Sequence, residues 1–444
     1  MINRFLSKKL SSFQIICMGF VGAILLGTLL LQLPPATRSG SPASWEDALF
    51  TATSAVCVTG LVVRDTALYW APFGQAVILI LIQVGGLGVV SVAAFIALIS
   101  GKRIGLLQRS LLMESISADQ VGGIVKMTSF IFRLAFTLEL IGAILMLPSF
   151  CINFGLSGIW MAVFHSVSAF CNAGFDVMGT HTGTFSSLTY FSDSFGIVLP
   201  ICALIVIGGI GFLTWGDIAF HGIHFKRYRM QSKVIIVTTA ILILFPTLFF
   251  FMNDFAAYPL KQRLCLSLFQ AVTPRTAGFN TVDMAAVTGV GRVMMIVLML
   301  IGGSPGSTAG GIKTTTAAVL LANVISTVRR RRNTQMFGRR IDDDTVRQSA
   351  TLLMIYPLFV LAAAQVISFI EDIPIGPCIF ETASAIGTVG LSMGITPSLG
   401  TVSHLLLIML MFFGRVGALT IMFAATNREG IEVAQSPFAK IHVG

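Results

Sequence analysis

Four glycines recur along the 444-residue chain at spacings of 114, 104 and 112 residues, and Leu or Phe follows each one. They are Gly60, Gly174, Gly278 and Gly390. Glycine permits the positive φ that turns backbone carbonyls toward a common point. Carbonyls from four such turns can replace the hydration shell of a cation that leaves water. The spacing therefore predicts a cation site built from backbone oxygens.

The surroundings of these glycines repeat as well. Six positions before each of them stand, in chain order, Ser54, Ser168, Val272 and Ser384. A second glycine cluster follows each turn inside the next apolar run, at 85–88, 208–211, 302–306 and 414–417. Arg415 takes the place that a glycine has in the first three copies. Each copy thus reads as an apolar helix, a short helix, a glycine turn and a second apolar helix.

The composition places these elements in a membrane. Hydrophobic residues make up 55% of the chain and charged residues 11%, whereas soluble proteins carry about 25% charged residues. A soluble enzyme is therefore excluded. Runs long enough to span a bilayer lie near 13–33, 73–99, 127–150, 194–220, 234–252, 291–327, 348–370 and 401–426. The fold class predicted is an all-α integral membrane protein, with eight transmembrane helices and four re-entrant pore loops around one central pore.

The predicted units follow the repeat. They are 1–100, 101–220, 221–327 and 328–444, each an apolar helix, a pore helix and a second apolar helix, and the last also contains a C-terminal tail. Only the third unit is expected to have a broken second helix, because 302–313 holds five glycines and a proline. A plain kink is the alternative for that segment. Its lysine is out of register for a phosphate-binding loop.

The charges indicate the orientation. The chain has 29 Lys and Arg residues and a formal net charge of +10, and most of these basic residues lie in alternate loops or at the tails. This positive-inside bias predicts that both termini are cytoplasmic in a multi-pass protein of the cell membrane. No nucleic-acid partner is implied, and Arg329–Arg332 would instead meet anionic lipid or an acidic partner. The seven scattered cysteines indicate no disulfide framework.

The glycine turns resemble those of a known family. They read Val58-Thr59-Gly60-Leu61, Asn172-Ala173-Gly174-Phe175, Thr273-Pro274-Arg275-Thr276-Ala277-Gly278-Phe279 and Gly387-Thr388-Val389-Gly390-Leu391. With segments 302–313 and 414–417, they resemble the Ktr/Trk/HKT superfamily of potassium transporters, and specifically its KtrB-type membrane subunit. The resemblance covers essentially the whole chain. Gly60, where sodium-preferring plant relatives have serine, implies potassium.

The resemblance also implies residue roles. The potassium-binding filter residues would be Val58, Thr59, Gly60, Asn172, Ala173, Gly174, Thr276, Ala277, Gly278, Thr388, Val389 and Gly390. The gate residues would be Gly302, Gly303, Gly306, Ser307, Thr308, Gly310, Gly311 and Arg415. A cation in a membrane helix is costly and suggests function. Arg415 would repel cations below the filter, or pair structurally with a carboxylate or loop carbonyls, or do both.

Five further charged residues have either a functional or a structural interpretation. Arg275 is expected to brace the third turn rather than meet ions. Asp176 and Glu381 would attract cations at the outer mouth or serve hydrogen-bonded structural roles. Lys313 and Arg133 are expected to snorkel to an interface.

The family resemblance implies partners too. It implies a homodimer in membrane lipid and a separate cytosolic KtrA-type ring that binds nucleotide (ATP or ADP), docked on the basic loops. Potassium is the expected substrate, sodium stimulation is a trait of the family, and no covalently bound cofactor or other metal is expected. The chain is predicted not to be an enzyme. The alternative function is a stoichiometric sodium-coupled symporter of a monovalent cation, against which the fourfold repeat and the single broken helix argue.

Overall fold

The computed structural model describes residues 11–100, 104–116 and 123–425. In chain order the long helices are α1 Ser12–Leu31, α2 Trp45–Val56, α3 Pro72–Leu87, α4 Val89–Ile99, α5 Leu106–Ile116, α6 Ile124–Phe154, α7 Ser157–Phe170, α8 Phe195–Ile210, α9 Phe212–His221, α10 Met230–Met252, α11 Leu260–Val272, α12 Gly289–Leu300, α13 Thr314–Val328, α14 Asp343–Glu371, α15 Ile375–Gly387, α16 Thr401–Val416 and α17 Ala418–Ala425. Single helical turns at Thr66–Tyr69 and Gly179–Thr182 lie in connecting loops. Strands β1 (Gln335–Met336) and β2 (Arg339–Arg340) form an antiparallel hairpin. The predicted tail at 430–444 and the basic residues Arg4, Lys8, Lys9, Lys102, Arg103, Arg428 and Lys440 lie outside the described residues.

Four helices of the described chain are long and apolar enough to cross a membrane by themselves: α1, α6, α10 and α14. They coincide with the first apolar run predicted for each repeat. Their outward faces carry exposed large hydrophobic side chains, such as Leu140, Ile144 and Leu145 on α6. Since apolar surface of this extent is unfavourable in water, the protein is an all-α membrane protein.

The second apolar run of every repeat is interrupted, so the expectation that only the third repeat is broken was wrong. Helices α3 and α4 meet at 99°, and α8 and α9 meet at 98°. The breaks fall at Gly88, Gly211 and Gly417, whose φ values of 87°, 97° and 95° end a right-handed helix. In the third repeat α12 and α13 are separated by residues 301–313. Predicted runs 73–99, 194–220, 291–327 and 401–426 are therefore not continuous helices.

The short helices α2, α7, α11 and α15 link the repeats into a ring. Each packs against the long helix that precedes it in the chain. Each also contacts the second helix of the preceding repeat, so that α3 meets α7, α8 meets α11, α12 meets α15, and α16 returns to α2. The cyclic order brings the four glycine turns, which follow these short helices, to one axis.

Candidate functional site

The four turns share one backbone conformation. Each has two left-handed residues separated by one position, a non-glycine residue and then the repeated glycine. Their φ values are 55° and 87° at Val58 and Gly60, 58° and 68° at Asn172 and Gly174, 72° and 82° at Thr276 and Gly278, and 51° and 91° at Thr388 and Gly390. Non-glycine residues rarely adopt this region. Its recurrence at four positions indicates that the geometry is required by the site.

The glycines form a closed ring of backbone contacts. A side-chain carbon added at Gly60 would lie within 3.0 Å of the Ala173 carbonyl oxygen of the next turn. The same relation runs from Gly174 to Ala277, from Gly278 to Val389, and from Gly390 back to Thr59. Each turn thus approaches its neighbour too closely for any residue except glycine. The four repeated glycines therefore lie next to one another in the structure.

Buried hydroxyl groups hold the turns. The Ser54 Oγ accepts a hydrogen bond from the Gly60 N–H at 3.0 Å, and the Ser384 Oγ accepts one from the Gly390 N–H at 3.0 Å. The Ser168 Oγ instead donates to the Phe175 carbonyl at 2.8 Å.

The third turn uses a different residue from the one aligned by spacing. The Thr273 Oγ1 donates to the Phe279 carbonyl at 2.7 Å, so Thr273, and not Val272, takes the hydroxyl role. The Gly278 N–H also bonds back to the Thr273 carbonyl at 3.3 Å, whereas the equivalent bond in the first turn joins Thr59 to Ser54. The third copy is therefore shifted by one residue. The hydroxyl beside Val272 was the sequence signal for this shift.

A cavity of about 530 Å³ opens onto the ring, and all four repeated glycines line it. Asp176 and Asp283 also line this cavity, which we call the vestibule. Burial raises the pKa of Asp176 to about 6; the nearby Asp65 adds to this effect, and a hydrogen bond from the Met178 N–H opposes it. The vestibule therefore gains negative charge as the pH rises above about 6.

The ring has the electrostatics of a cation site. Helices α2, α7, α11 and α15 all end at it, so their partially negative C-terminal ends point toward the same region. At each contact between neighbouring turns, a carbonyl oxygen of one turn lies against the glycine of the next. Such an arrangement can coordinate a dehydrated monovalent cation.

Close packing against neighbouring backbone explains why the second clusters consist of glycine. Side-chain carbons added at Gly85, Gly208 and Gly414 would clash with the carbonyls of Val56, Phe170 and Ile386, which lie at the ends of the short helices of their own repeats. Glycine therefore lets the second helix support the turn from below. In the third repeat Gly302 instead faces the Gly310 carbonyl and the Thr276 side chain.

Segment 302–313 is a compact inserted loop and not a kink. Its two ends pair with each other, the Gly302 N–H donating to the Ile312 carbonyl at 2.8 Å and the Thr314 N–H to the Gly303 carbonyl at 2.9 Å. None of its residues lines the vestibule. A side-chain carbon at Gly310 would clash with the Thr388 hydroxyl of the fourth turn. The loop therefore lies directly against the ring, on the side away from the vestibule.

The other repeats hold this loop by hydrogen bonds. The Ser304 N–H donates to the Gly209 carbonyl at 2.9 Å, and the Thr308 N–H donates to the Gly208 carbonyl at 3.2 Å. The Thr308 Oγ1 donates to the Phe170 carbonyl at 3.0 Å. The segment is thus bound to the second repeat at the level where α8 and α9 separate.

Arg415 connects the loop to the first repeat. Its guanidinium donates to the carbonyls of Thr308 and Gly85, and at 3.1 Å to that of Gly86. Within the described chain no carboxylate forms a salt bridge with it. Of the two pairings considered from sequence, the structure contains the one with loop carbonyls. Within the described residues, the guanidinium therefore contacts carbonyl oxygens and not a carboxylate.

The remaining charged candidates are distributed differently. Glu381 is fully buried, does not line the vestibule, and accepts hydrogen bonds from Ser392, Met393 and Thr396. It supports the loop after the fourth turn. Lys313 does not snorkel, because its Nζ donates to the Ala309 carbonyl at 2.8 Å.

Arg275 and Arg133 were also expected to be peripheral to the ions. Arg275 is buried and does not line the vestibule, and its Nε has no hydrogen-bond partner within the described residues. Arg133 is exposed on α6.

One buried carboxyl was missed from sequence. Glu139 lies on α6 and accepts a hydrogen bond from the Gln83 Nε2 at 2.9 Å. Gln83 in turn accepts from the Cys171 thiol at 3.4 Å, next to the second turn. A single carboxylate within a long apolar run was the available signal.

Comparisons with known proteins agree on one family. The family described as "TrkH: Cation transport protein" matches residues 10–430. The "Potassium/sodium uptake protein NtpJ" of Enterococcus hirae is 38% identical, over 94% of this chain and 93% of that protein. The "Ktr system potassium uptake protein B" of Bacillus subtilis is 36% identical, over 94% of this chain and 93% of its own length. The crystal structure of the potassium transporter TrkH from Vibrio parahaemolyticus matches with a TM-score of 0.74, 20% identity and coverage of 94% of this chain and 86% of that one.

Proposed function

Because the chain belongs to the TrkH family of cation transport proteins, we propose that it takes up potassium across the cell membrane through a four-turn carbonyl filter. The observation that carries the proposal is the closed ring of Gly60, Gly174, Gly278 and Gly390 at the base of one vestibule. One relative over 30% identical is named as a potassium/sodium uptake protein and another as a potassium uptake protein, which supports potassium as the substrate. The family consists of transporters and not enzymes.

The proposed architecture is a fourfold repeat with eight spans. Its units are 1–100, 101–220, 221–327 and 328–444, and each contributes one continuous helix, one pore helix and one interrupted helix. The cyclic packing of the short helices against the preceding second helices supports this arrangement. The positive-inside pattern supports cytoplasmic termini and an external vestibule.

In this filter, potassium exchanges its water for backbone oxygens. The carbonyls belong to residues 58–60, 172–174, 276–278 and 388–390, each held in the same pair of left-handed conformations. The rigid ring fixes the carbonyl positions before an ion arrives. Negative helix ends and the Asp176 carboxylate raise the local concentration of cations.

The gate is proposed to be segment 302–313 together with Arg415. Two observations support this role: the segment lies directly against the ring, and Arg415 binds it to the first repeat through the Thr308 carbonyl. In the closed state the loop fills the path and the guanidinium adds a positive charge. Opening requires the loop to leave at least the Thr308 contact.

Control is proposed to come from a cytosolic nucleotide-binding ring of the KtrA type, with the chain as a homodimer. The word "system" in the name of the Bacillus relative supports a second component. The name of the Enterococcus relative includes sodium, which supports a sodium effect on uptake.

The experiment is potassium uptake by a bacterium that lacks its own uptake systems. The cells express this chain with a regulatory partner, as wild type, Gly278→Ser or Gly289→Ser. Gly278 has φ +82° and faces the Val389 carbonyl, whereas Gly289 is exposed with no atom within 4 Å of an added side-chain carbon. A left-handed non-glycine residue costs about 1–2 kcal/mol, and the clash must also displace the neighbouring carbonyl.

We expect wild type and Gly289→Ser to restore growth at low potassium. Gly278→Ser should lose potassium affinity or preference over sodium at equal expression. If Gly278→Ser transports like wild type, the glycine is structural and the filter assignment is wrong. If inserted wild type moves no potassium, another ion or coupled transport becomes the better hypothesis, and a fixed ratio of two ion fluxes would identify the latter.

A further inference from the structure

A second cavity, of about 290 Å³, lies in the third repeat, at the end opposite the vestibule. It is formed where α10 begins and where the β1–β2 hairpin turns. Its lining residues are Arg227, Tyr228, Arg229, Met230, Lys233, Phe337 and Arg339. Four of these seven are cationic and none is acidic, so we call it the basic cavity.

Most of this positive charge is uncompensated. Arg229 forms a salt bridge of 3.5 Å with Asp217. Within the described chain, no carboxylate lies within 4.0 Å of the charged atoms of Arg227, Lys233 or Arg339. The Lys233 Nζ donates to the Lys226 carbonyl at 2.8 Å, which keeps the ammonium at the rim of the cavity. Three cations around one concave space select for an anion.

The helix end adds to the same preference. The N-cap residue Arg229 makes no side-chain cap on the first turn of α10. The Asp217 carboxylate lies beside this end and accepts hydrogen bonds from the Arg229 N–H at 3.1 Å and the Ser232 Oγ at 2.7 Å, which leaves the following N–H groups without a side-chain cap. The positive end of a helix with free N–H groups binds phosphate-like anions. Arginine side chains bind phosphate oxygens in pairs. The chemistry of the cavity therefore fits a phosphate group better than a carboxylate or chloride.

An apolar stripe leads away from the cavity along α10. Val237, Ile241, Leu244 and Leu248 follow Lys233 at steps of three or four residues, so they lie on the same helix face. Their exposed fractions are 38%, 59%, 69% and 58%. A phosphate at the cavity with a hydrocarbon chain along the stripe would cover both surfaces at once, which an acidic protein loop would not.

We infer that the basic cavity binds the phosphate head group of an anionic phospholipid, with one acyl chain along the α10 stripe. The inference rests on the proposed orientation, in which this end faces the cytoplasmic leaflet. The lipid would connect α10 to the hairpin after α13, the helix that follows the proposed gating loop. Bound lipid would therefore stabilise one position of the third repeat.

The test uses the full-length protein purified in neutral detergent and titrated with phosphatidylglycerol or with phosphatidylcholine of the same acyl chains. Retained lipid is counted by native mass spectrometry. The variants are Arg227→Gln/Arg339→Gln and the matched control Arg109→Gln/Arg347→Gln, which removes two exposed arginines outside the cavity. Each basic contact with an anionic lipid contributes about 1 kcal/mol, a roughly fivefold change in affinity.

Wild type should retain phosphatidylglycerol in preference to phosphatidylcholine. The cavity variant should lose about 25-fold in apparent affinity for phosphatidylglycerol, while the control keeps most of it. Equal retention of both lipids by wild type, a comparison that needs no variant, would overturn the inference. So would equal losses in both variants, which would mean diffuse surface charge.

Two further arms separate other anions. Millimolar inorganic phosphate that raises the thermal stability of wild type as much as phosphatidylglycerol does would assign the cavity to a soluble ion and overturn the lipid. Loss of binding to the regulatory ring in the cavity variant, with no lipid selectivity in wild type, would assign it to an acidic protein. Potassium uptake is measured separately, so a failed lipid experiment leaves the proposed transport function standing, and the reverse also holds.

Discussion

Replacing Arg415 should open the conduction path in the absence of any regulatory partner. The guanidinium donates to the carbonyls of Thr308, Gly85 and Gly86. Among the described residues, only the Thr308 bond joins Arg415 to the proposed gating loop, so only this bond must break when the loop leaves. Arg415→Gln removes the charge and this bond, while Gly85 and Gly86 belong to a helix that stays in place.

The size of the effect follows from this one contact. A hydrogen bond to a charged group contributes about 1.5–3 kcal/mol net. Losing it would shift the ratio of closed to open protein by about 10- to 150-fold. Resting potassium flux should rise by up to that factor, until the protein is mostly open.

The assay is potassium flux into liposomes that contain the purified chain alone. Arg133→Gln is the matched control, because Arg133 is an exposed arginine on α6, far in sequence from the loop. Arg415→Lys separates two explanations. Lysine keeps the charge but lacks the fork of donors that reaches several carbonyls, so an electrostatic barrier alone would leave Arg415→Lys closed, whereas a hydrogen-bonded latch would leave it partly open.

Unchanged resting flux in Arg415→Gln, with normal insertion and normal flux once the partner is added, would refute this reasoning. The guanidinium would then be a structural cross-link, and the gate would have to be sought elsewhere.

Three other predictions concern the outer half of the site. Ser54→Ala should leave the Gly60 N–H buried without a partner, at a cost of about 1–3 kcal/mol, which a lower Tm and weaker discrimination against sodium would reveal. Apparent potassium affinity should fall as external pH drops from 7 to 5, because burial raises the pKa of Asp176 to about 6 and the vestibule loses a negative charge in this range. In uptake assays, Asp176→Asn should abolish this pH dependence. The hydrogen bond with His404 lowers the pKa of Glu46 below its ordinary 4.5. The stabilisation that this hydrogen bond gives the fold is therefore present above pH 4.5 and disappears as the pH falls through the lowered pKa. The Tm difference between wild type and Glu46→Gln should shrink only in that acidic range.

The structural features that could be predicted from the sequence are those that repeat along it at a regular spacing. The fourfold spacing of Gly60, Gly174, Gly278 and Gly390 identified the residues that the fold brings into contact, since only glycine tolerates both the left-handed backbone and the neighbouring carbonyl. The first apolar helix of each repeat was also predictable, because an uninterrupted run of this length has few other structures.

The breaks in the second helices were not predicted, although their residues were visible. Gly88, Gly211 and Gly417 each end a glycine cluster within an apolar run, and a helix tolerates glycine at a cost of about 1 kcal/mol per residue. Whether it adopts a positive φ depends on tertiary contacts that a pattern does not contain. With all four second helices interrupted, a broken helix no longer distinguishes the third repeat, and the case against a coupled transporter rests on the fourfold ring.

The third repeat differs from the others in a way that suits a gate. In the first, second and fourth repeats, a second-helix glycine (Gly85, Gly208 or Gly414) packs against the end of the short helix in the same repeat. In the third repeat, Gly302 instead packs against the Gly310 carbonyl of the 302–313 loop. The third turn is also shifted by one residue, so that Thr273 provides the hydroxyl group. The ring conformation is nevertheless the same at Thr276 and Gly278 as in the other turns. A loop that replaces one of four supports can move without dismantling the ring, because the other three second helices still hold their own turns. Under the proposed function, this separation would let a single chain keep four equivalent filter turns and still place one mobile barrier beneath them.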